Sequence, residues 1–449
     1  MEDTIVAVAT SIGESSINVL RVSGKDSIKI VNKIFSKDLS NVNSHTVHYG
    51  FIMDNGEKID EVLVSVFLSP KTFTTEDIVE ISVHGGEICV NKVLELVLSN
   101  GARLAEAGEF LKRAFLNGRI DLTQAEAVGD LINAQSEYAR KMAFRGVDKQ
   151  LFNVISELKE KVLSLIANIE VNIDYPEYED AIVVSKEMVS DVVCFVKEKV
   201  DVLIDDSSKG LVIKNGLKMV LVGKPNVGKS SLLNKLLNED KAIVTDVKGT
   251  TRDIIEGTLM IDGIKISILD TAGIRKSDDI VEAIGVERSK SAINDADIVL
   301  FVIDSESGFD SEDEEVLNNI GNKRVLVVYN KSDIVDYKTD ILDNYESVNV
   351  SALDNESISD LKNKISDMFG LKKIGSSNYM YVSNARQISL LKRCSEIISD
   401  IENAINVDME IDMIEIDVKR LWETLCEITG EVAQEDLLNE IFSKFCLGK

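Results

Sequence analysis

The residues with the clearest chemistry lie in "GKPNVGKS", Gly223 to Ser230, directly after the apolar run "LKMVLV". A G-x-x-x-x-G-K-[ST] spacing lets backbone N–H groups close around a β-phosphate. It sets Lys229 against the β/γ charge and offers the Ser230 hydroxyl to Mg2+. Asn226, Val227, Gly228 and Ser231 are the other candidate nucleotide contacts of this loop.

Four further motifs follow in the order one nucleotide site requires. In "GTTRD" (Gly249 to Asp253), Thr251 is placed to close over Mg2+ when a γ-phosphate is present. In "DTAG", Asp270 reaches the metal through water and Gly273 offers its N–H to the γ-phosphate. In "NKSD" (Asn330, Lys331, Ser332, Asp333), a carboxylate at Asp333 accepts two hydrogen bonds from the N1–H and 2-amino group of guanine. Adenine lacks both donors, so the expected nucleotide is GTP. In "VSAL" (350–353), Ser351 and Ala352 fit the loop that meets the guanine O6 through backbone N–H. Small GTPases place a water-orienting glutamine after the "DTAG" glycine, but here that residue is Ile274. The water must be oriented from elsewhere, with Asp278, Asp279 or Glu282 as candidates. The developing charge needs an arginine or a bound cation.

Strand ends must position these motifs. From Leu217 to about Gly370, apolar strands ("KMVLVG", "KISILD", "DIVLFVID", "RVLVVYN") alternate with helical stretches. That alternation predicts a Ras-like P-loop domain with a doubly wound parallel sheet. Residues 1–118 mix β-type runs ("INVLRVSG", "EVLVSVFL", "DIVEISVHGG") with the helical "GEICVNKVLELVLSNG", which predicts a small α+β domain. From Leu122, apolar residues fall at three- and four-residue steps as far as about Ser208, broken at Tyr175-Pro176, and the pattern returns after about Asn384. The expected fold is multidomain α/β: an α+β domain (1–118), a discontinuous all-α domain (119–212 and 375–449) and an inserted P-loop domain (213–374). The acidic run "DSEDEE" (310–315) reads as solvated surface, and His84 beside Gly85-Gly86 as a turn or packing histidine.

Composition narrows the class. A net charge of −27 argues against a simple nucleic-acid binder, whose affinity comes from Lys and Arg on phosphates. Five cysteines without C-x-x-C spacing fit a reducing compartment. The N-terminus "MEDT" has neither a signal-peptide nor a transit-peptide pattern. No apolar run is long enough to span a bilayer, so a cytoplasmic protein without a membrane partner is expected.

The stretches "ISVHGG" (81–86), "GEFLKRAFLNGRIDLTQAEAV" (108–128), "IGVERS" (284–289), "ITGEVAQEDLLNEIF" (428–442) and the terminal "FCLGK", together with the GTPase block, resemble the MnmE (TrmE) family of tRNA-modification GTPases over nearly the whole length. The resemblance implies a homodimer through the N-terminal domain, transient contact between two G domains, and a heterotetramer with an FAD-dependent MnmG-type protein. The implied product carries a carboxymethylaminomethyl or aminomethyl group on C5 of the tRNA wobble uridine. The bridging carbon is expected from a tetrahydrofolate derivative (5-formyl or 5,10-methylene form), set near Arg21, Glu80, Arg119 and Lys449. The resemblance also implies K+ activation, with Asn226 and the backbone carbonyls of Thr245, Val247 and Thr250 as ligands, and Glu282 as the water-orienting acid. The basic stretch "KRAFLNGR" (112–119) is the best local candidate for touching tRNA.

Some positions depart from the family pattern. "TTED" (74–77) stands for T-G-E-D, "AGEF" (107–110) for P-G-E-F, and 9–24 has serines and asparagine where Pro and Gly are usual. A ribosome-assembly GTPase is the alternative function, since such proteins share "PNVGKSS"; the long N-terminal domain would then have no role. A nucleotide-gated scaffold is a third reading. The tail "CLGK" lacks the aliphatic and terminal residues of a prenylation box. Cys446 is instead a candidate thiol, either attacking C6 of uridine or supporting the tail.

Overall fold

The structure is a computed structural model that describes residues 3–13, 15–174, 184–239, 255–269, 291–376, 382, 384–445 and 448. It divides into two compact units: residues 1–129, 146–200 and 389–449 form one, and residues 130–145 and 201–388 the other.

The first unit contains a six-stranded sheet in the order β3-β4-β5-β2-β1-β6. Its strands are β1 (Ile5–Val8), β2 (Ile17–Ser23), β3 (Thr46–Asp54), β4 (Glu57–Phe67), β5 (Ile78–His84) and β6 (Arg103–Leu104). The expected runs became β2, β4 and β5, whereas β1, β3 and β6 were not anticipated. Asn55 and Gly56, at φ 48° and 90°, close the β3–β4 hairpin. An Asn-Gly pair takes this left-handed turn readily, so it was an available signal for β3. Alternation in β4 sends Val62, Val64 and Val66 inward, where they meet Leu20, Val22, Ile81 and the helix Glu87–Ser99. On the opposite face Ile5 and Ala7 pack with Ala105 and Phe110.

The helical part of this unit is built on Gln150–Asp174 and Ile411–Thr429. Leu151, Ile155, Leu158, Val162 and Ile169 bury one face of the first, and Ile414, Val418, Leu421 and Leu425 one face of the second. Lys159, buried, pairs with Glu431 and reaches Thr429 Oγ1 at 3.3 Å. This fixes the turn that leads into the last helix, Glu435–Ser443. Leu438 and Phe442 of that helix join Leu111, Leu122 and Ala125 in one apolar cluster. A side chain at Gly108 would put its Cβ 2.2 Å from the Phe442 carbonyl oxygen, so the approach requires glycine there. The chain end thus returns to the N-terminal sheet.

The second unit contains a six-stranded sheet in the order β12-β11-β10-β7-β9-β8. The strands are β7 (Leu217–Val222), β8 (Ile255–Ile261), β9 (Ile264–Leu269), β10 (Ile298–Asp304), β11 (Val325–Asn330) and β12 (Glu346–Val350). Every neighbouring pair is parallel except β8–β9. Ile298 to Ile303 of β10 are all fully buried, as expected of a central strand covered on both faces. This is the expected doubly wound sheet, with the described motif loops at the carboxyl ends of β7, β11 and β12. Among the described residues, no helix is long and apolar enough to cross a membrane.

Candidate nucleotide site and a second polar cluster

Strand β7 ends at Val222 and the helix Lys229–Glu239 begins seven residues later. The loop between them turns through positive φ at Gly223, Asn226 and Gly228. Added Cβ atoms would lie 2.3 Å from the Val302 carbonyl at Gly223 and 2.2 Å from Asn330 Nδ2 at Gly228. Both glycines therefore serve close approach as well as turning. Lys229 Nζ donates to the carbonyls of Gly223 (2.6 Å) and Lys224 (2.5 Å), and its burial lowers its pKa. An ammonium has three donors, so one remains for a phosphate. Ser230 and Ser231 are exposed in the first turn of the helix, whose free N–H groups favour an anion.

The base-recognition motif is tied directly to this loop. Asn330, 2% exposed, donates through Nδ2 to the Val227 carbonyl at 2.8 Å. Its Oδ1 is buried without a hydrogen-bond partner in the structure, an acceptor left over for a ligand donor. Lys331, at φ 64°, donates to Asp304 Oδ2 at 2.5 Å, and this bond raises its pKa. Asp333 is exposed. The Ser332 N–H donates to the Val350 carbonyl at 3.2 Å, which brings "NKSD" beside "VSAL". Ser351 is buried and held by Ser357, whose Oγ accepts from its N–H at 3.0 Å; Ala352 is half-buried next to it. The Asn330–Val227 and Ser332–Val350 bonds thus bring the phosphate loop, "NKSD" and "VSAL" together at the carboxyl ends of β7, β11 and β12. Thr245, Val247, Thr250, Thr251, Asp270, Gly273, Ile274, Asp278, Asp279, Glu282, Cys446 and Lys449 lie outside the described residues.

The acidic run at 310–315 is exposed as expected, except at Asp313. Asp313 is fully buried, and Asp310 caps the helix Ser311–Ile320 through a reciprocal box with it. Lys224, inside the phosphate loop, pairs with both carboxylates at 2.6 and 2.9 Å. Burial would lower the Lys224 pKa, but its bonds to Asp310 and Asp313 hold it above the ordinary lysine value. These partners stand more than eighty residues apart in the chain, beyond the reach of local spacing.

A second cluster lies in the first unit. Arg21 and Glu80 are direct cross-strand neighbours on β2 and β5, joined by Nε–H···Oε1 at 2.8 Å. The Arg21 guanidinium stands 5.1 Å from the Phe73 ring centre, and the Arg119 guanidinium stands 5.0 Å from the same ring. Arg119 also donates to the Phe73 carbonyl at 3.0 Å. Arg21 Nη1 reaches the Gly448 carbonyl at 3.4 Å, so the tail arrives beside this group. Arg21, Glu80 and Arg119 were expected together; Phe73, which organises them, was missed, and only its place before "TTED" hinted at a role. The donor set fits a flat heteroaromatic ring bearing carboxylates: an aromatic face, two guanidiniums and one carboxylate.

In the basic stretch 112–119, residues 116–119 are exposed and the first two basic side chains are engaged within the fold. Arg113 is 1% exposed and locked to Asp3, Glu76 and Glu109, while Lys112 donates to Asn439. His84 is not a turn or packing residue: it is the exposed last residue of β5, paired with Ile17 of β2, with its Nδ1 2.6 Å from Asp60 Oδ1.

Comparison with known proteins identifies the family. A family profile described as "MnmE helical domain" matches residues 122–446, and one described as "GTP-binding protein TrmE N-terminus" matches residues 4–119. Relatives named "tRNA modification GTPase MnmE" from Bacillus cytotoxicus and Bacillus mycoides are each 45% identical, over 100% of this chain and 99% of theirs. A solved structure of Era with MgGDPNP and a fragment of 16S ribosomal RNA is 30% identical, covers 40% of this chain and 66% of that one, and has a TM-score of 0.28. With profiles over both parts and relatives matched from end to end, the chain belongs to the MnmE family of tRNA modification GTPases.

Proposed function

We propose that this chain hydrolyses GTP in the modification of the tRNA wobble uridine, with a folate-derived carbon and an FAD-dependent MnmG-type partner in a heterotetramer. The observation that carries the GTPase part is the Asn330–Val227 bond, which joins the guanine-reading loop to the phosphate loop at 2.8 Å. Lys229 balances charge at the β- and γ-phosphates, Ser230 and Thr251 hold the metal, and Asp333 selects guanine. When bound, Mg2+ and K+ supply positive charge at the phosphates, and the tetrahydrofolate derivative supplies the carbon unit. Asn226 and the carbonyls of Thr245, Val247 and Thr250 form the K+ site, while Glu282 orients the attacking water.

The Arg21–Phe73–Arg119 group with Glu80 is the folate site in this reading, and Lys449 and Cys446 are assigned to it. Its support is the arrival of Gly448 at Arg21. For the homodimer, the support is an exposed apolar face on the outer strands: Val47, Tyr49 and Leu63, with Tyr49 directly opposite Leu63. The division at 118, 212 and 374 into folate-binding, helical and G domains belongs to the same proposal, as does a cytoplasmic location. Phosphate release by the purified chain, with GTP or ATP in K+ or Na+ buffer, tests the enzyme. Turnover of GTP alone, faster in K+, is expected; equal turnover of ATP would refute the guanine assignment.

A further inference from the structure

Two residues of the largely exposed acidic run, Asp310 and Asp313, grip the phosphate loop. Lys224 Nζ lies between Asp310 Oδ2 (2.6 Å) and Asp313 Oδ2 (2.9 Å), and is itself only 11% exposed. Asp313 is fully buried, and its Oδ2 also accepts from the Asp310 N–H at 3.2 Å. The backbone of the same Lys224 supplies one of the two carbonyls that hold Lys229 Nζ; the other, Gly223, is pressed against the Val302 carbonyl. Gly223 is thus fixed by β10, and Lys224 by the helix Ser311–Ile320.

From this arrangement we infer that Lys224, with Asp310 and Asp313, is a positioning clamp for GTP hydrolysis. It fixes the Lys224 carbonyl, and through it the direction in which Lys229 presents its remaining donor. The inference rests on the GTPase reading above. A displaced lysine still offers charge to bound GTP, but it meets the transferring phosphoryl group off its best geometry. The loss therefore falls on kcat more than on KM. A misplacement on the order of 1 Å can lower a rate by about 100-fold.

A merely structural salt bridge makes a different forecast. It stabilises the fold, and any variant that folds hydrolyses GTP normally. The experiment uses the full chain and four proteins: wild type, Lys224→Arg, Lys224→Met and the double variant Lys224→Met/Asp313→Asn. Steady-state GTP hydrolysis and thermal melting are measured for each. The expected result is a kcat for Lys224→Met lower by about 10- to 100-fold, with KM within about threefold of wild type. Lys224→Arg restores most of the rate, because a guanidinium can span both carboxylates. The double variant, with no buried charge left unpaired by the substitution, recovers thermal stability but stays slow. Should Lys224→Met fail to fold, the double variant carries the test. Wild-type kcat in either folded methionine variant overturns the clamp. A wild-type chain with no GTP turnover instead sinks the GTPase reading, and the clamp with it.

Discussion

Arg113→Met removes the guanidinium at the centre of the first unit's charge network. Arg113 Nη1 donates to the Asp3 carbonyl (2.9 Å) and Glu76 Oε1 (3.0 Å), and Nη2 to Asp3 Oδ1 (2.9 Å) and Glu109 Oε1 (3.0 Å). Buried Glu109 and half-buried Glu76 do not suffer equally. Glu109 keeps Arg103, which donates to both of its oxygens at 2.7 and 3.1 Å. Among the described residues, Glu76 keeps only the Ser23 hydroxyl as a side-chain partner, at 2.7 Å. Breaking a buried pair by deleting one partner costs about 3–5 kcal/mol. Because Arg103 rescues Glu109 and Glu76 is partly exposed, the lower end applies, about 3 kcal/mol. In a unit of this size each kcal/mol moves Tm by about 2–4 °C, which gives a fall of about 6–12 °C. Adding Glu76→Gln removes the stranded charge and should recover part of that fall. Scanning calorimetry of wild type, Arg113→Met and Arg113→Met/Glu76→Gln decides the matter. A single variant melting with the wild type, or a double variant no better than the single, would show that the network does not hold this unit together.

Other consequences can be checked in the same preparations. Thr75, where the family pattern has glycine, sits at φ 65°, and a β-branched residue there is strained by about 1–3 kcal/mol. Thr75→Gly should raise Tm by about 2–4 °C, after allowing for the greater freedom of glycine in the unfolded chain; a lower Tm would show that the turn is not strained. Gly228→Ala pushes a Cβ into Asn330 Nδ2 and breaks its bond to Val227, so GTP should bind about 10- to 100-fold more weakly by calorimetric titration. The hydrogen bond to Asp60, reinforced by its charge, raises the His84 pKa above 6.5. A raised folded pKa means that this contribution is complete below the unfolded value of about 6.5 and fades as pH climbs through the folded one. NMR titration should show His84 shifting above 6.5 in the wild type and falling back in Asp60→Asn.

The phosphate loop, the guanine motif and the strands that carry them were readable because their chemistry is local. Glycines, a lysine and a hydroxyl at fixed spacing after an apolar strand describe both the element and its ligand. Glu87–Ser99 and Leu122–Asn133 were readable for a similar reason, since three- and four-residue apolar steps mark a helix face. What escaped was pairing across distance. Lys224 and Asp313 carry no mutual signal in the chain, and an acidic run ordinarily faces water. Arg113 lies in a basic stretch whose charge invited a nucleic-acid reading, yet three carboxylates from separate segments bury it. Phe73 gains its place only when β2, β5 and the residues after the helix Glu109–Leu116 converge on it. The strand β3 failed for another reason: its residues alternate poorly, and the Asn55-Gly56 turn was its one firm mark.

Nucleoside mass spectrometry of tRNA decides whether GTP turnover in this chain serves wobble-uridine modification. The samples are cells lacking the chain, complemented with wild type or with Lys229→Ala. Wild type should restore the C5-substituted wobble uridine, while Lys229→Ala should leave it unmodified. Full modification in the uncomplemented cells, or with Lys229→Ala, would contradict a GTP-dependent role in tRNA modification.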